Sequence, residues 1–179
     1  GYGVVNKATF NPWIEGRRES VDRVRSSAYA ELLLERGWSG AVIETLDRQT
    51  DRILDLTGDP QKSGAWARRG IAIGEVQSGK TATYISLLAK AIDYGYKIII
   101  VIGGHTEDLR RQTQTRLDSD LTGIDSAYLA DNISHNEMAQ IGIGKIDKHL
   151  PTSINVLTTT QADFSTANKR AGKVALGAG

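Results

Sequence analysis

The feature that most constrains this chain is the octapeptide Gly74-Glu75-Val76-Gln77-Ser78-Gly79-Lys80-Thr81, which fits the pattern G-x-x-x-x-G-K-[ST] at every position. Glycines let the backbone close tightly around phosphate oxygens, where a Cβ would block the approach. Successive backbone N–H groups and the positive end of the following helix then face the anion. A lysine offsets the charge of the terminal phosphates, and a Thr or Ser hydroxyl ligates magnesium. The expected ligand is a nucleoside triphosphate with Mg2+, held by Gly74, Glu75, Val76, Gln77, Ser78, Gly79, Lys80 and Thr81. Lys80 is the expected catalytic cation and Thr81 the expected metal ligand. The alternative is a glycine turn ahead of a helix, with Lys80 merely solvated.

Such a loop needs a strand to enter it and a helix to leave it. Gly70 to Gly74 (GIAIG) is short and apolar, and Thr81 to Tyr94 has helical spacing with Leu87, Leu88, Ala91 and Ile92 as the expected inward side. Lys97 to Ile102 (KIIIVI) is a continuous β-branched run, the pattern of a strand buried on both faces. A helix is expected from about Thr106 to Leu121, and another strand at Ser153 to Thr158 (SINVLT). Alternating strands and helices predict an α/β fold with a parallel sheet, a P-loop nucleotide-binding lobe. Residues 122–152 are glycine-rich and weakly periodic.

Ahead of this lobe the chain reads as helical, so the expected division is a helical region over 1–66 and the lobe over 67–179. Glu19 to Glu35 places Val21, Val24, Ala28, Leu32 and Leu33 on one side, and Gly37 is a stop. Ser39 suits the N-cap of a second helix carrying Val42, Ile43, Leu46, Ile53, Leu54 and Leu56. Gly58, Asp59 and Pro60 end it. The closing residues, AGKVALGAG, read as a frayed or truncated end.

Composition excludes several classes. Twenty-two basic and 21 acidic side chains give a net charge of +1, so any basic surface is local. The absence of cysteine removes disulfides and thiolate metal sites. No apolar run reaches the roughly 20 residues of a membrane span, and the N-terminus lacks the layout of a signal peptide. A cytoplasmic protein is expected.

The nucleotide is expected to be ATP. A guanine-reading N-K-x-D is missing: Asn168-Lys169-Arg170-Ala171 lacks the aspartate. Hydrolysis requires a second acid at the end of a neighbouring strand to hold the metal. Gly103-Gly104-His105 follows KIIIVI, and Thr158-Thr159-Thr160 follows SINVL, so no strand-ending acid is visible. The lobe is expected to stop before that acidic strand and to bind nucleotide with little turnover. After KIIIVI, Thr106 can cap a helix with Leu109, Thr113, Leu117 and Leu121 inward, which leaves Arg110, Arg111 and Arg116 outside. Those arginines form either a solvated face or a surface that grips phosphates without reading bases.

The stretch GEVQSGKTATYISLLAKAIDYGYKIIIVIGGHTEDLRRQTQTRLD, with INVLTTTQADFS further on, resembles the ATPase core of the Z-one domain family over roughly residues 68 to 166. That family is akin to superfamily-two helicases and occurs in endonucleases of bacterial defence or DNA-repair systems. The resemblance implies a RecA-like lobe of a helicase-type ATPase acting on DNA. It implies that Lys80 and Thr81 do the phosphate and magnesium work. It also implies that Thr106, Arg110, Arg111, Arg116 and Thr158 lie in motifs touching a nucleic-acid strand. The family's aspartate-glutamate strand, second lobe and nuclease part have no counterpart in this sequence. A P-loop kinase would need a lid arginine and an acceptor pocket. A non-catalytic module would use nucleotide to gate a partner, including further protein subunits, through the N-terminal helices.

His105, His135 and His149 lack metal-ligand spacing. Trp13 and Trp38 are expected to be packing anchors, and Trp66, beside Arg68 and Arg69, is a candidate for base recognition. Asp118 and Asp120 are expected to be solvated at a helix end.

Overall fold

The computed structural model describes residues 10–64, 67–72, 79–103, 106–125 and 140–147. Over these residues the chain is a helical assembly. A 3-10 turn at Glu15–Arg17 precedes α1 (Val24–Glu35), α2 (Gly40–Thr57), α3 (Lys80–Asp93) and α4 (Glu107–Leu117). A π-turn at Asp118–Thr122 continues α4, and α5 (Ile143–Ile146) is a single turn.

The expected α/β architecture is not what the structure shows. Among the described residues there is no strand and no parallel sheet, and the sole β pairing is an isolated antiparallel bridge between Ile124 and Gln140. The described part of the first expected strand, 70–72, and all of the second, 97–102, have no ladder partner. Ile71, Ile98, Ile100 and Ile102 are 86%, 62%, 83% and 89% exposed, where a doubly covered strand would be buried. The reason is physical: β-branched residues favour extended backbone, but a strand exists only when a neighbour takes its N–H and C=O groups. The third expected strand, 153–158, lies outside the described residues. With no RecA-like sheet beneath it, α3 packs on helices instead.

That change of partner shifts the buried face of α3. Its buried residues are Ala82, Ile85, Ser86, Ala89, Lys90 and Ala91; of those expected inward, Ala91 is buried as expected, while Leu87, Leu88 and Ile92 are half-buried. The small side chains of Ala82, Ser86 and Ala89 let α1 and α2 approach closely. One core cluster joins Tyr29, Leu32 and Leu33 of α1, Leu46 of α2, Ala82 and Ile85 of α3, and Ile143 of α5. A second joins Trp13 and Ile14 to Leu54, Ala91 and Tyr94. Trp13 meets Tyr94 edge-on at 5.5 Å between ring centroids, and its indole N–H donates to the Asp55 carbonyl at 3.1 Å. Trp13 is thus the packing anchor its residue type suggests.

Helix ends follow the sequence closely. Ser39 Oγ accepts from the Val42 N–H at 3.4 Å, capping α2. Thr106 Oγ1 accepts from Leu109 at 3.3 Å, capping α4. Gly37, at φ +85°, closes α1: the Trp38 N–H reaches the Leu33 carbonyl at 3.0 Å and the Gly37 N–H reaches Leu34 at 2.9 Å. Gly95 repeats the closure on α3, with Tyr96 bonded to Ala91 and Gly95 to Ile92. The N-terminus of α1, by contrast, is capped from afar, since the Asp93 carboxylate accepts from the N–H groups of Arg25 and Ser26 at 3.0 and 2.9 Å.

Asp118 and Asp120 depart from expectation as well. Both are buried, at 4% and 6% exposure, rather than solvated. Asp120 receives two bonds from the Arg36 guanidinium, at 2.8 and 2.6 Å, and Asp118 accepts from the Gln114 amide at 2.6 Å. Arg25 donates to the Leu121 carbonyl from the same side, so the π-turn is clamped onto α1. Buried carboxylates persist because they are paired.

Candidate functional site

The described part of the octapeptide is Gly79, Lys80 and Thr81; Gly74, Glu75, Val76, Gln77 and Ser78 lie outside the described residues. Gly79 is the N-cap of α3 and sits at φ +72°, ψ 21°, the left-handed region that an L side chain enters only at a cost. No side chain caps α3 among the described residues. Its first N–H groups therefore have no intrahelical acceptor, and they carry the positive end of a 14-residue helix. Lys80 is exposed at this end, Thr81 is half-buried beside it, and the first turn holds no acid. Thr83 turns back, its hydroxyl donating to the Gly79 carbonyl at 3.2 Å. A positive helix end with an ammonium and a hydroxyl in its first turn is chemically suited to phosphate oxygens and a hydrated magnesium ion.

This helix end is held in place by its other turns. Ala82 and Ile85 are buried in the core. Lys90, 0% exposed, pairs with Asp47 and Asp51 of α2 at 2.8 and 2.5 Å. Arg23 and Arg18 complete the network on its solvent side. Burial pushes the Asp47 carboxyl up, but the hydrogen bond and charge of Lys90, with those of Arg23, outweigh it and leave the group below its ordinary value. Asp93, at the far end of α3, goes the other way: burial raises it more than its bonds to Ser26 and Arg25 lower it.

A groove opens directly beside Gly79. It measures about 530 Å3 and is lined by Trp38 from the turn ahead of α2, by Ala41, Val42, Thr45, Leu46 and Gln49 from the first half of α2, and by Gly79 and Thr83 at the start of α3. The closure at Gly37 delivers Trp38 to this place. Its ring tip, Cη2, lies 3.5 Å from where a Cβ on Gly79 would stand, while the ring packs against the first core cluster. No signal within the sequence joined Trp38 to the octapeptide, because the contact is made by two helices meeting across 41 residues.

The remaining expected residues fall elsewhere. Thr106 is exposed and spends its hydroxyl on the α4 cap. Arg110 is half-buried and forms a two-bonded ion pair with Glu107 at 2.9 and 2.5 Å, which also lowers the Glu107 carboxyl. Arg111 and Arg116 are exposed. The inward stripe of α4 is only partly realised, with Leu109 42% exposed, Thr113 and Leu117 half-buried and Leu121 buried. Thr158, Trp66, His105, His135 and His149 lie outside the described residues. No group of three or more His, Cys, Asp or Glu side chains suited to a metal occurs among the described residues. No described helix is long and apolar enough to cross a membrane. The chain matches no protein-family model, no curated protein and no solved structure.

Proposed function

We propose that this chain binds a nucleoside triphosphate, ATP with magnesium, at the start of α3. The observation that carries the reading is the coincidence of a complete G-x-x-x-x-G-K-[ST] octapeptide with a left-handed Gly79 at the N-cap of a 14-residue helix beginning at Lys80. The N–H groups of the first turn take the phosphate oxygens, Lys80 neutralises the terminal phosphates, and Thr81 ligates the metal.

The resemblance to the Z-one domain family extends the reading to a cytoplasmic helicase-like ATPase acting on DNA in a bacterial defence or repair system. Within it, Arg110, Arg111 and Arg116 of α4 touch the phosphate backbone. Arg111 and Arg116, exposed and with no ion pair to a described carboxylate, are the stronger pair for that role. Efficient turnover needs a metal-holding acid, and the sequence places none at the end of KIIIVI or SINVL.

The test is calorimetric titration of Mg-ATP into the parent chain and into Lys80→Ala, with helical content checked for both. Lys80 is exposed, so its removal leaves the core intact. At least about tenfold weaker binding is expected, the loss of one charge-assisted contact to a terminal phosphate. Equal affinity would reject the assignment.

A further inference from the structure

We infer that the groove between Trp38, α2 and the start of α3 is the base site of the nucleotide, and that it selects adenine. The inference rests on the proposed phosphate site, and it adds which base is bound and by which residues. Gly79 belongs to both places: it caps the helix that faces phosphates and it lines the groove. One ligand with an anionic tail and a flat apolar head can therefore occupy both without leaving the surface.

The lining matches that head. Trp38 offers an indole that packs against the first core cluster and whose tip, Cη2, stands close to Gly79, so its place is already fixed and stacking a base on it orders little more. Val42, 49% exposed, supplies apolar surface one turn along. From Ala41 to Gln49 the groove follows nine residues of α2, about 12 Å of helix, enough for a base and its ribose. The polar groups are few: the Thr45 and Thr83 hydroxyls and the Gln49 amide. Both hydroxyls donate to backbone carbonyls, of Ala41 and Gly79, and so face a ligand as acceptors.

The choice of base follows from charge. An amide presents one donor and one acceptor side by side, the complement of the adenine N7 and amino edge. Guanine presents two acceptors on that edge and is met by a cation, and its opposite edge is met by a carboxylate. No described residue lining the groove is charged. Gln49 is the residue placed to read adenine, and Trp38 the platform beneath it.

The experiment compares Mg-ATP, Mg-GTP and magnesium tripolyphosphate on the full chain by calorimetry. Tripolyphosphate reports the phosphate site alone. Parent protein is expected to bind ATP at least about tenfold more tightly than tripolyphosphate, the contribution of one stacked base. Trp38→Ala brings ATP to the tripolyphosphate level and leaves tripolyphosphate unchanged, whereas Lys80→Ala weakens both. Gln49→Leu removes the preference for ATP over GTP, about fivefold or more, with tripolyphosphate again unchanged. Because Trp38 touches the core, Val42→Glu serves as the second variant. It places a carboxylate on the half-exposed wall, disturbs no buried residue and is expected to abolish the ATP advantage. If Val42→Glu and Trp38→Ala both keep the parent ratio of ATP to tripolyphosphate affinity while Lys80→Ala loses both ligands, the base site is refuted and the phosphate site stands. If the parent binds neither ligand, both fall together.

Discussion

Replacing Lys90 by Met removes the ammonium buried between α2 and α3, and it tests whether these helices are locked as described. Lys90 is fully buried, while the Asp47 and Asp51 side chains that it pairs with are 28% and 13% exposed. Deleting one member of a buried pair typically costs about 3–5 kcal/mol, because the remaining charge is left desolvated. Here Arg23 still reaches Asp47 and Arg18 reaches both carboxylates, so the expected loss is smaller, about 2–4 kcal/mol. The pH dependence must change with it. Asp47 titrates lower in the folded chain than in the unfolded one, so its contribution is complete above the unfolded value, about 3.9, and disappears as pH falls through the folded value. Lys90→Met should flatten that acid limb. Urea unfolding followed by helical circular dichroism between pH 3 and pH 7 measures both, with the pH limits set by about one unit either side of the ordinary carboxylate range and neutrality. Lys90→Met with Asp51→Leu should recover most of the loss, since a well-packed apolar pair replaces an ion pair at little net cost. A loss below about 0.5 kcal/mol for the single variant, the level of an ordinary surface change, would refute the buried network.

Asp93→Ala should destabilise by about 1–2 kcal/mol, the loss of an N-terminal cap, although Asp93 lies outside the helix it caps. Its carboxyl is raised in the folded state, so its own contribution is greatest at low pH and declines as pH rises through the folded value, opposite in sign to Asp47; Asp93→Asn should remove that slope in thermal melts. Changing Arg110, Arg111 and Arg116 to Gln should lower the slope of log affinity against log salt for DNA by about two or three, and an unchanged slope, or no binding by the parent, would make them a solvated face. Phosphate release at saturating Mg-ATP should stay near the Lys80→Ala blank, with or without DNA; steady multiple turnover would show that residues 1–179 contain a catalytic acid, with Asp118, Asp120 and Asp163 the first to substitute.

Local signals in the sequence translated directly into structure, and tertiary ones did not. Ser39, Thr106 and Gly37 act through neighbours three to five residues away, so their capping roles were legible. The β-branched run 97–102 was misleading because its pattern describes what a strand needs, a partner on each edge, and cannot supply one. The inward face of α3 was legible only in part, at Ala91, for the same reason. Leu87, Leu88 and Ile92 are the larger apolar residues, but the helices on offer fit against the smaller Ala82 and Ala89. Asp120 looked solvated because its partner, Arg36, sits more than eighty residues earlier, whereas Asp118 is met by Gln114 only four residues before it. At the site, the octapeptide was visible in the letters alone. The Trp38 groove was not, since it exists only where the turn after α1 meets the N-cap of α3.

The measurement closest to the central claim is a map of backbone amide shifts by 15N–1H correlation spectroscopy as magnesium tripolyphosphate is added. A phosphate cradle at the start of α3 predicts the largest shifts at Gly79, Lys80, Thr81 and Ala82, whose N–H groups lie at the N-cap and in the first turn of the helix. Those shifts should vanish in Lys80→Ala. Saturating shifts centred on Arg111 and Arg116 of α4, with the first turn of α3 unmoved, would contradict the account.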